Sequence, residues 1–179
     1  MKKCSNTSHL LFFFCLLSFN ALSNDEPPAP ESYFDFWLGE WDLRWYHEDG
    51  SVSIGYNRIV RILDGKVIQE NFASYSEKEE VPLKGMSLSV YNPRSQSWHQ
   101  AWTDNQGSYF NFTGEVEGDK RIFSTEQLTK EGTSIILRMV FSEIKEDSLL
   151  WTWEASEDGG KNWRQIWQIH YQRRLKSKE

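Results

Sequence analysis

Residues 41–50 read Trp41-Asp42-Leu43-Arg44-Trp45-Tyr46-His47-Glu48-Asp49-Gly50. Trp41, Leu43 and Trp45 alternate with Asp42, Arg44 and Tyr46, and a run of turn formers follows. Successive side chains of a strand point to opposite faces, so this period of two predicts a half-buried strand ending in a turn. Working outward, the same pattern recurs along the chain. Val52 to Leu63 reads as a strand closed by the hairpin dipeptide Asp64-Gly65, and Lys66 to Tyr75 as the next. Ser76 to Leu83 is charged, holds Pro82 and reads as a loop. Gly85 to Tyr91 leads into the turn Asn92-Pro93-Arg94-Ser95. Ser97 to Thr103 ends at Asp104-Asn105-Gln106-Gly107, and Ser108 to Val116 at Glu117-Gly118-Asp119. Lys120 to Leu128 and Thr133 to Ser142 flank Lys130-Glu131-Gly132. Leu149 to Glu154 and Trp163 to Arg173 flank Glu157-Asp158-Gly159-Gly160.

From Tyr33 onward no segment keeps a 3.6-residue period for three turns. The only helix candidate is Glu31 to Leu38. About ten strands joined by short connections predict an all-β, antiparallel, up-and-down meander. Left open, such a sheet has two long unpaired edges, and closure into a barrel removes them.

Composition agrees. A chain of 179 residues, 39% hydrophobic and 26% charged, suits one domain. A mean hydropathy of −0.64 excludes a polytopic helical membrane protein. Nine Trp, seven Tyr and eleven Phe are too many large apolar groups for a disordered chain. A formal charge of −6 argues against nucleic acid, whose phosphates need a basic face.

Lys2 and Lys3 precede an apolar run, Leu10 to Phe19, too short to span a bilayer. Ala21 and Ser23 are the small residues of a signal-peptidase site. Residues 1–23 are therefore expected to be a signal peptide, and the protein to be periplasmic or secreted with no stable membrane anchor after processing. An uncleaved anchor is the alternative. Cys15 follows Phe12-Phe13-Phe14, which is no lipobox. Cys4 and Cys15 both fall in the removed segment, so the mature chain carries no disulfide. Loss of Lys2 and Lys3 takes the charge of −6 two units further negative. Residues 24–32 read as an acidic, Pro-rich leader, residues 33–175 as the domain, and residues 176–179 as a charged tail.

Several stretches resemble a large family of bacterial, often exported, proteins of unknown function with a lipocalin-like (calycin) barrel. They are Phe34-Asp35-Phe36-Trp37-Leu38-Gly39-Glu40-Trp41-Asp42, Val67-Ile68-Gln69-Glu70-Asn71, Gly85-Met86-Ser87-Leu88, Tyr91-Asn92-Pro93, Trp98-His99-Gln100-Ala101-Trp102-Thr103-Asp104, Trp153 to Trp163 and Tyr171-Gln172-Arg173. Together they span most of the domain in order. The resemblance implies a fold and carries no activity. Within it, Gly39-Glu40-Trp41 is similar to the lipocalin G-x-W, whose Trp closes one end of the barrel beneath an Arg from the last strand. That implies structural roles for Gly39, Trp41 and Arg173, with Arg174 as the alternative Arg. An indole under a guanidinium is a favourable cation–π stack. Ser156 to Trp163 is similar to the S-x-D-G-G-x-x-W turn of sialidase-type propellers; a single copy reads as a well-made hairpin.

If Arg173 meets Trp41, then Trp163, Gln165, Trp167, Ile169, Tyr171 and Arg173 point into the barrel. Trp98, Gln100 and Trp102 share a face on their strand, as do Trp151 and Trp153 on theirs. The expected ligand-binding residues are Glu70, Trp98, Gln100, Trp102, Arg138, Trp153 and Trp167. Such a lining suits a small hydrophobic or aromatic molecule with one or two polar handles, with carbohydrate as a secondary class. The alternative is that the rings simply fill the interior.

Glu70 lies between Ile68 and Phe72. On an inward face its carboxyl can serve as an acid or base, with Arg138 as a candidate partner, in an isomerase-, lyase- or hydrolase-type enzyme. A structural ion pair is the competing reading. His170 resembles the His near the chain end of haem-binding ten-stranded barrels such as nitrobindins, which implies a haem-binding alternative, although its parity is opposite to that of Trp167 and Arg173. No metal-ligand spacing, dinucleotide fingerprint, phosphate loop or nucleophile elbow occurs, so no cofactor is implied. Ligand identity and oligomeric state are not legible.

Overall fold

The computed structural model describes residues 28–75, 81–130 and 133–174. Residues 1–23, expected to be a signal peptide, the first part of the expected leader and the expected tail 176–179 lie outside the described residues. Two single-turn 3-10 helices, Pro30–Ser32 and Asp35–Trp37, precede eleven strands. These are β1 (Gly39–Tyr46), β2 (Val52–Ile62), β3 (Val67–Tyr75), β4 (Lys84–Asn92), β5 (Ser97–Asp104), β6 (Tyr109–Glu117), β7 (Lys120–Ser124), β8 (Leu128–Lys130), β9 (Thr133–Ser142), β10 (Ser148–Ser156) and β11 (Arg164–Arg173). All pairings are antiparallel. β1 pairs with β11 as well as β2, and β10 with β9 as well as β11, so the meander closes. The result is a closed ten-stranded antiparallel barrel. β8 pairs only with β9, beyond the stretch that β7 occupies.

One end of the barrel is plugged. The 3-10 segment folds Phe34 and Trp37 under the strands, where both are 1% exposed. Phe34 stacks on Phe123 at 4.3 Å and meets Trp98 edge-on at 5.1 Å. Trp98 Nε1 donates to the Pro30 carbonyl (2.8 Å), and Arg61 pairs with Asp35. Trp41 is fully buried, and its Nε1 donates to the Trp37 carbonyl at 2.8 Å. The Arg173 guanidinium lies 4.1 Å over the Trp41 ring. It also donates to the carbonyls of Leu38 (2.6 Å), Phe36 (3.0 Å) and Glu146 (2.6 Å). One cation thus ties the last strand to the plug while stacking on the Trp41 indole. Gly39 has φ +125°, and a methyl group there would lie 2.5 Å from Arg173 Nη1. Only glycine suits both that backbone and that approach. Arg174 instead stacks on Tyr56 (4.5 Å) and pairs with Asp42 on the outer wall.

Two departures from simple alternation shape the other end. The expected strand Lys120 to Leu128 is broken after Ser124. Thr125 keeps contact by donating its backbone N–H to Leu137 O (2.9 Å) and accepting from Leu137 N on its hydroxyl (3.1 Å). β6 pairs with β7 only from Thr113 onward, so Tyr109 to Phe112 are held on the β5 side alone. The wall divides there, toward the open end.

The second departure is a bulge in β11. Trp153 pairs with Trp167 but Glu154 with Gln165, leaving Ile166 as an extra residue. One extra residue reverses every side chain beyond it. Gln165 is therefore exposed, and Trp163 sits outside, 3.8 Å under the Arg138 guanidinium. This corrects the expectation that Trp163 and Gln165 share the inward face of Trp167.

The β10–β11 turn is built on Asp158. Its carboxylate accepts the backbone N–H groups of Lys161 (3.0 Å) and Asn162 (2.9 Å), the Asn162 amide (2.7 Å) and the Ser156 hydroxyl (2.8 Å). These bonds, led by the one from the Asn162 backbone, hold its pKa down at about 2. Its acceptor capacity is spent on the turn.

Candidate functional site

Above the plug lies a layer of polar side chains. Alternation along β2 sends Ser53, Gly55, Asn57 and Ile59 inward, and along β3 it sends Ile68, Glu70, Phe72 and Ser74 inward. Register sets Glu70 opposite Ser87 of β4, and Ser89 opposite Gln100 of β5. Asn57 Nδ2 donates to Glu70 Oε1 (2.6 Å) and to the Tyr171 hydroxyl (3.2 Å). Ser87 Oγ donates to Glu70 Oε2 at 2.7 Å. Gln100 Nε2 donates to Ser87 Oγ (3.2 Å) and Ser89 Oγ (2.9 Å). Asn57 Oδ1 and Gln100 Oε1 are buried with no hydrogen-bond partner.

Burial dominates the titration of Glu70 and pushes it up to about 7, against the opposing hydrogen bonds from Ser87 and Asn57. No basic side chain is paired with it among the described residues. Burial, reinforced by the nearby Glu70 charge, also raises the Tyr171 phenol above its ordinary value.

Over this layer the interior is left open. A cavity of about 160 Å³ is bounded by Glu70 and Tyr171 below and by Leu83 and Asp104 at the rim. Its wall is a continuous belt of rings. Trp102 meets Phe72 at 6.2 Å, Phe72 meets Trp167 at 6.1 Å, and Trp167 meets Trp151 edge-on at 5.6 Å. Trp151 and Trp153 are parallel at 6.4 Å, and Trp153 meets Phe110 at 5.8 Å and Phe112 at 6.0 Å. Phe110 lies opposite Trp102 across β5 and β6, which completes the circuit. The belt depends on Gly85 of β4, because the Trp102 ring fills the space that any β-carbon there would need. A dry apolar hollow of about 150 Å³ holds one benzene ring, so this volume fits a single-ring body.

Asp104 is the second acid at the cavity. Burial acts to raise its pKa, but the Ser108 and Gln106 backbones and the Trp102 indole donate to it, and together they hold it below its usual value. Trp102 Nε1 reaches Asp104 Oδ2 at 3.1 Å. That bond fixes the orientation of the indole at the rim.

The structure distributes the expected site residues over four places. Glu70, Trp102, Trp153 and Trp167 line the cavity. Gln100 points inward but lies one layer down, in the polar network. Trp98 points inward too, at the plug, where it anchors Pro30. Arg138 is on the outer wall. Its neighbour Met139 lines the cavity, so Arg138 faces the other way; it bonds Glu154 at 2.7 Å and stacks on Trp163. The expected Glu70–Arg138 pair is therefore absent, because one residue of parity separates Arg138 from the lumen. His170 is exposed on the outer wall, near Tyr46 (5.8 Å) and Gln168 (3.1 Å). It borders a larger hollow of about 780 Å³ on the outside of β1, β2, β10 and β11. That hollow is open, and it shares with the buried network only Tyr171, whose hydroxyl bonds Asn57.

Phe72, Phe110, Phe112, Met139, Trp151, Ile169 and Tyr171 also line the cavity, and Asn57, Ser87 and Ser89 belong to the network; none was singled out as a site residue. Tyr171 and Trp151 do share the faces of Trp167 and Trp153 in the sequence. The signal for Asn57 is a polar residue two positions from Ile59. No helix among the described residues is long and apolar enough to cross a membrane, and no group of His, Cys, Asp or Glu among them could hold a metal ion. A scan against protein-family models found no match for this chain, and a search of curated proteins found none.

Proposed function

We propose that the protein is an exported, lipocalin-like barrel that binds a small hydrophobic or aromatic molecule inside its open end. The observation that carries this reading is the belt of seven rings around unfilled volume, with Glu70 and Tyr171 at its base. A barrel built only for stability gains nothing from that space, since a void forfeits the contacts its lining would otherwise make. The plug under Arg173 and Trp41 supports the lipocalin-like assignment, and the signal-like residues 1–23 support a periplasmic or secreted location. Binding would come from burial of apolar surface, at about 25 cal/mol per Å² before the costs of association are subtracted.

Indole fluorescence offers the test, because four tryptophans line the cavity. Titration with single-ring aromatics, lipids and sugars should give saturable quenching and a rise in melting temperature for the aromatics. No response to any class would contradict the reading.

One observation favours a second reading. Glu70 lines the cavity and titrates near neutrality, as a general acid or base must. In that case the barrel is an isomerase-, lyase- or hydrolase-type enzyme. Turnover that survives Glu70→Gln would overturn it.

A further inference from the structure

We infer that the ligand is a small organic cation, a single aromatic ring bearing a protonated amine, held with its nitrogen on the Glu70 carboxylate and its ring within the indole belt. This rests on the ligand-binding reading above and sharpens it. Charge is the first argument. The described lining contains two acids, Glu70 and Asp104, and no Lys, Arg or His. An anion entering it would meet only like charge, whereas a cation would supply the counter-charge that the buried carboxylate lacks. Arg138, the partner expected from the sequence, is committed to Glu154 outside the wall.

Hydrogen-bonding capacity is the second argument. A carboxylate has about four acceptor positions. Asn57 and Ser87 fill one on each oxygen of Glu70. About two positions remain on a carboxylate that lines the cavity. An ammonium has three donors and no acceptor, which matches a carboxylate with acceptor positions to spare. The third argument is the belt itself. Indole faces attract cations, most strongly where water is excluded, and four indoles line this cavity.

The pH dependence follows from the groups around Glu70. Asn57 faces it from β2, Ser87 from β4 and Tyr171 from β11. Tyr171 is raised out of the neutral range, and Asp104 at the rim is held low and stays ionised. Among the described groups that line the cavity, Glu70 is therefore the one that changes charge near pH 7. A cation requires its ionised form, so affinity should fall about tenfold between pH 8 and pH 6.

The experiment compares benzylamine, benzyl alcohol and benzoate by calorimetric titration at pH 8 and pH 6, with the unmodified protein and Glu70→Gln. Benzylamine should bind at least tenfold tighter than benzyl alcohol at pH 8, with benzoate weakest. The preference should shrink at pH 6 and vanish in the variant. Benzyl alcohol or benzoate binding as tightly as benzylamine at pH 8 would overturn the inference while leaving the cavity reading intact. Failure of all three to bind, with the aromatic panel also silent, would overturn both. Should the variant not fold, the pH comparison in the unmodified protein decides alone.

Discussion

Replacing Glu70 by Gln should change how stability depends on pH, and the sign can be worked out. Burial raises the carboxyl from its ordinary 4.5 to about 7 in the folded protein. The folded state therefore holds its proton more tightly than the unfolded chain. Below pH 4.5 both states are protonated, and Glu70 imposes no charge penalty. Between 4.5 and 7 the unfolded chain ionises first, and stability falls as pH rises. Above 7 the loss is complete, at roughly 3 kcal/mol. Gln keeps the shape of the side chain without the charge, so the variant should lack this fall. With an m-value of about 2 kcal/mol per molar urea, the difference between the two midpoints should change by about 1.5 M from pH 4.5 to pH 8, in favour of the variant at high pH. Other carboxylates affect both proteins alike and cancel in the difference. Parallel midpoint curves would refute the claim that Glu70 is buried without a cation.

Other substitutions probe the plug, the belt and the outer wall. Gly85→Ala should displace the Trp102 ring, blue- or red-shift the indole emission and weaken binding of single-ring aromatics; unchanged emission and binding would contradict the packing described. Arg173→Leu removes three hydrogen bonds and the stack on Trp41. It should cost about 3 kcal/mol and lower the melting temperature by roughly 10 °C, measurable by calorimetry. Arg138→Ala should cost about 1 kcal/mol through loss of the Glu154 pair and the Trp163 stack, and leave ligand titrations unchanged, since it acts outside the barrel.

Much of this architecture was legible because parity in a strand is a local property. Trp41, Leu43 and Trp45 announce β1, and Ile68, Glu70 and Phe72 announce the inward face of β3. The turn dipeptides place most strand ends. What was not legible falls into three kinds. Parity does not report depth, so Trp98, Gln100 and Trp102 share one face yet occupy the plug, the network and the cavity respectively. Parity is also blind to an inserted residue, and the bulge at Ile166 sends Trp163 and Gln165 to the wrong side of any count made from Trp167. Finally, hydrophobicity is a poor guide where the interior is polar. On β4, Met86, Leu88 and Val90 are 40%, 44% and 39% exposed, while Ser87 and Ser89 are each 1% exposed. Alternation alone would turn that strand inside out. The reason is chemical: Glu70 needs the Ser87 hydroxyl, Gln100 needs both serines as acceptors, and small groups leave room for Trp102. Arg138 fits the same lesson. Met139 beside it lines the cavity, which by parity sets Arg138 outward, where it stacks on Trp163.

The most direct measurement is a crystal structure of the protein grown with benzylamine. Density for one ring between Trp102 and Trp167, with its nitrogen about 3 Å from a Glu70 oxygen, is the expected result. A lumen occupied by the protein's own side chains, with benzylamine elsewhere or nowhere, would contradict the account.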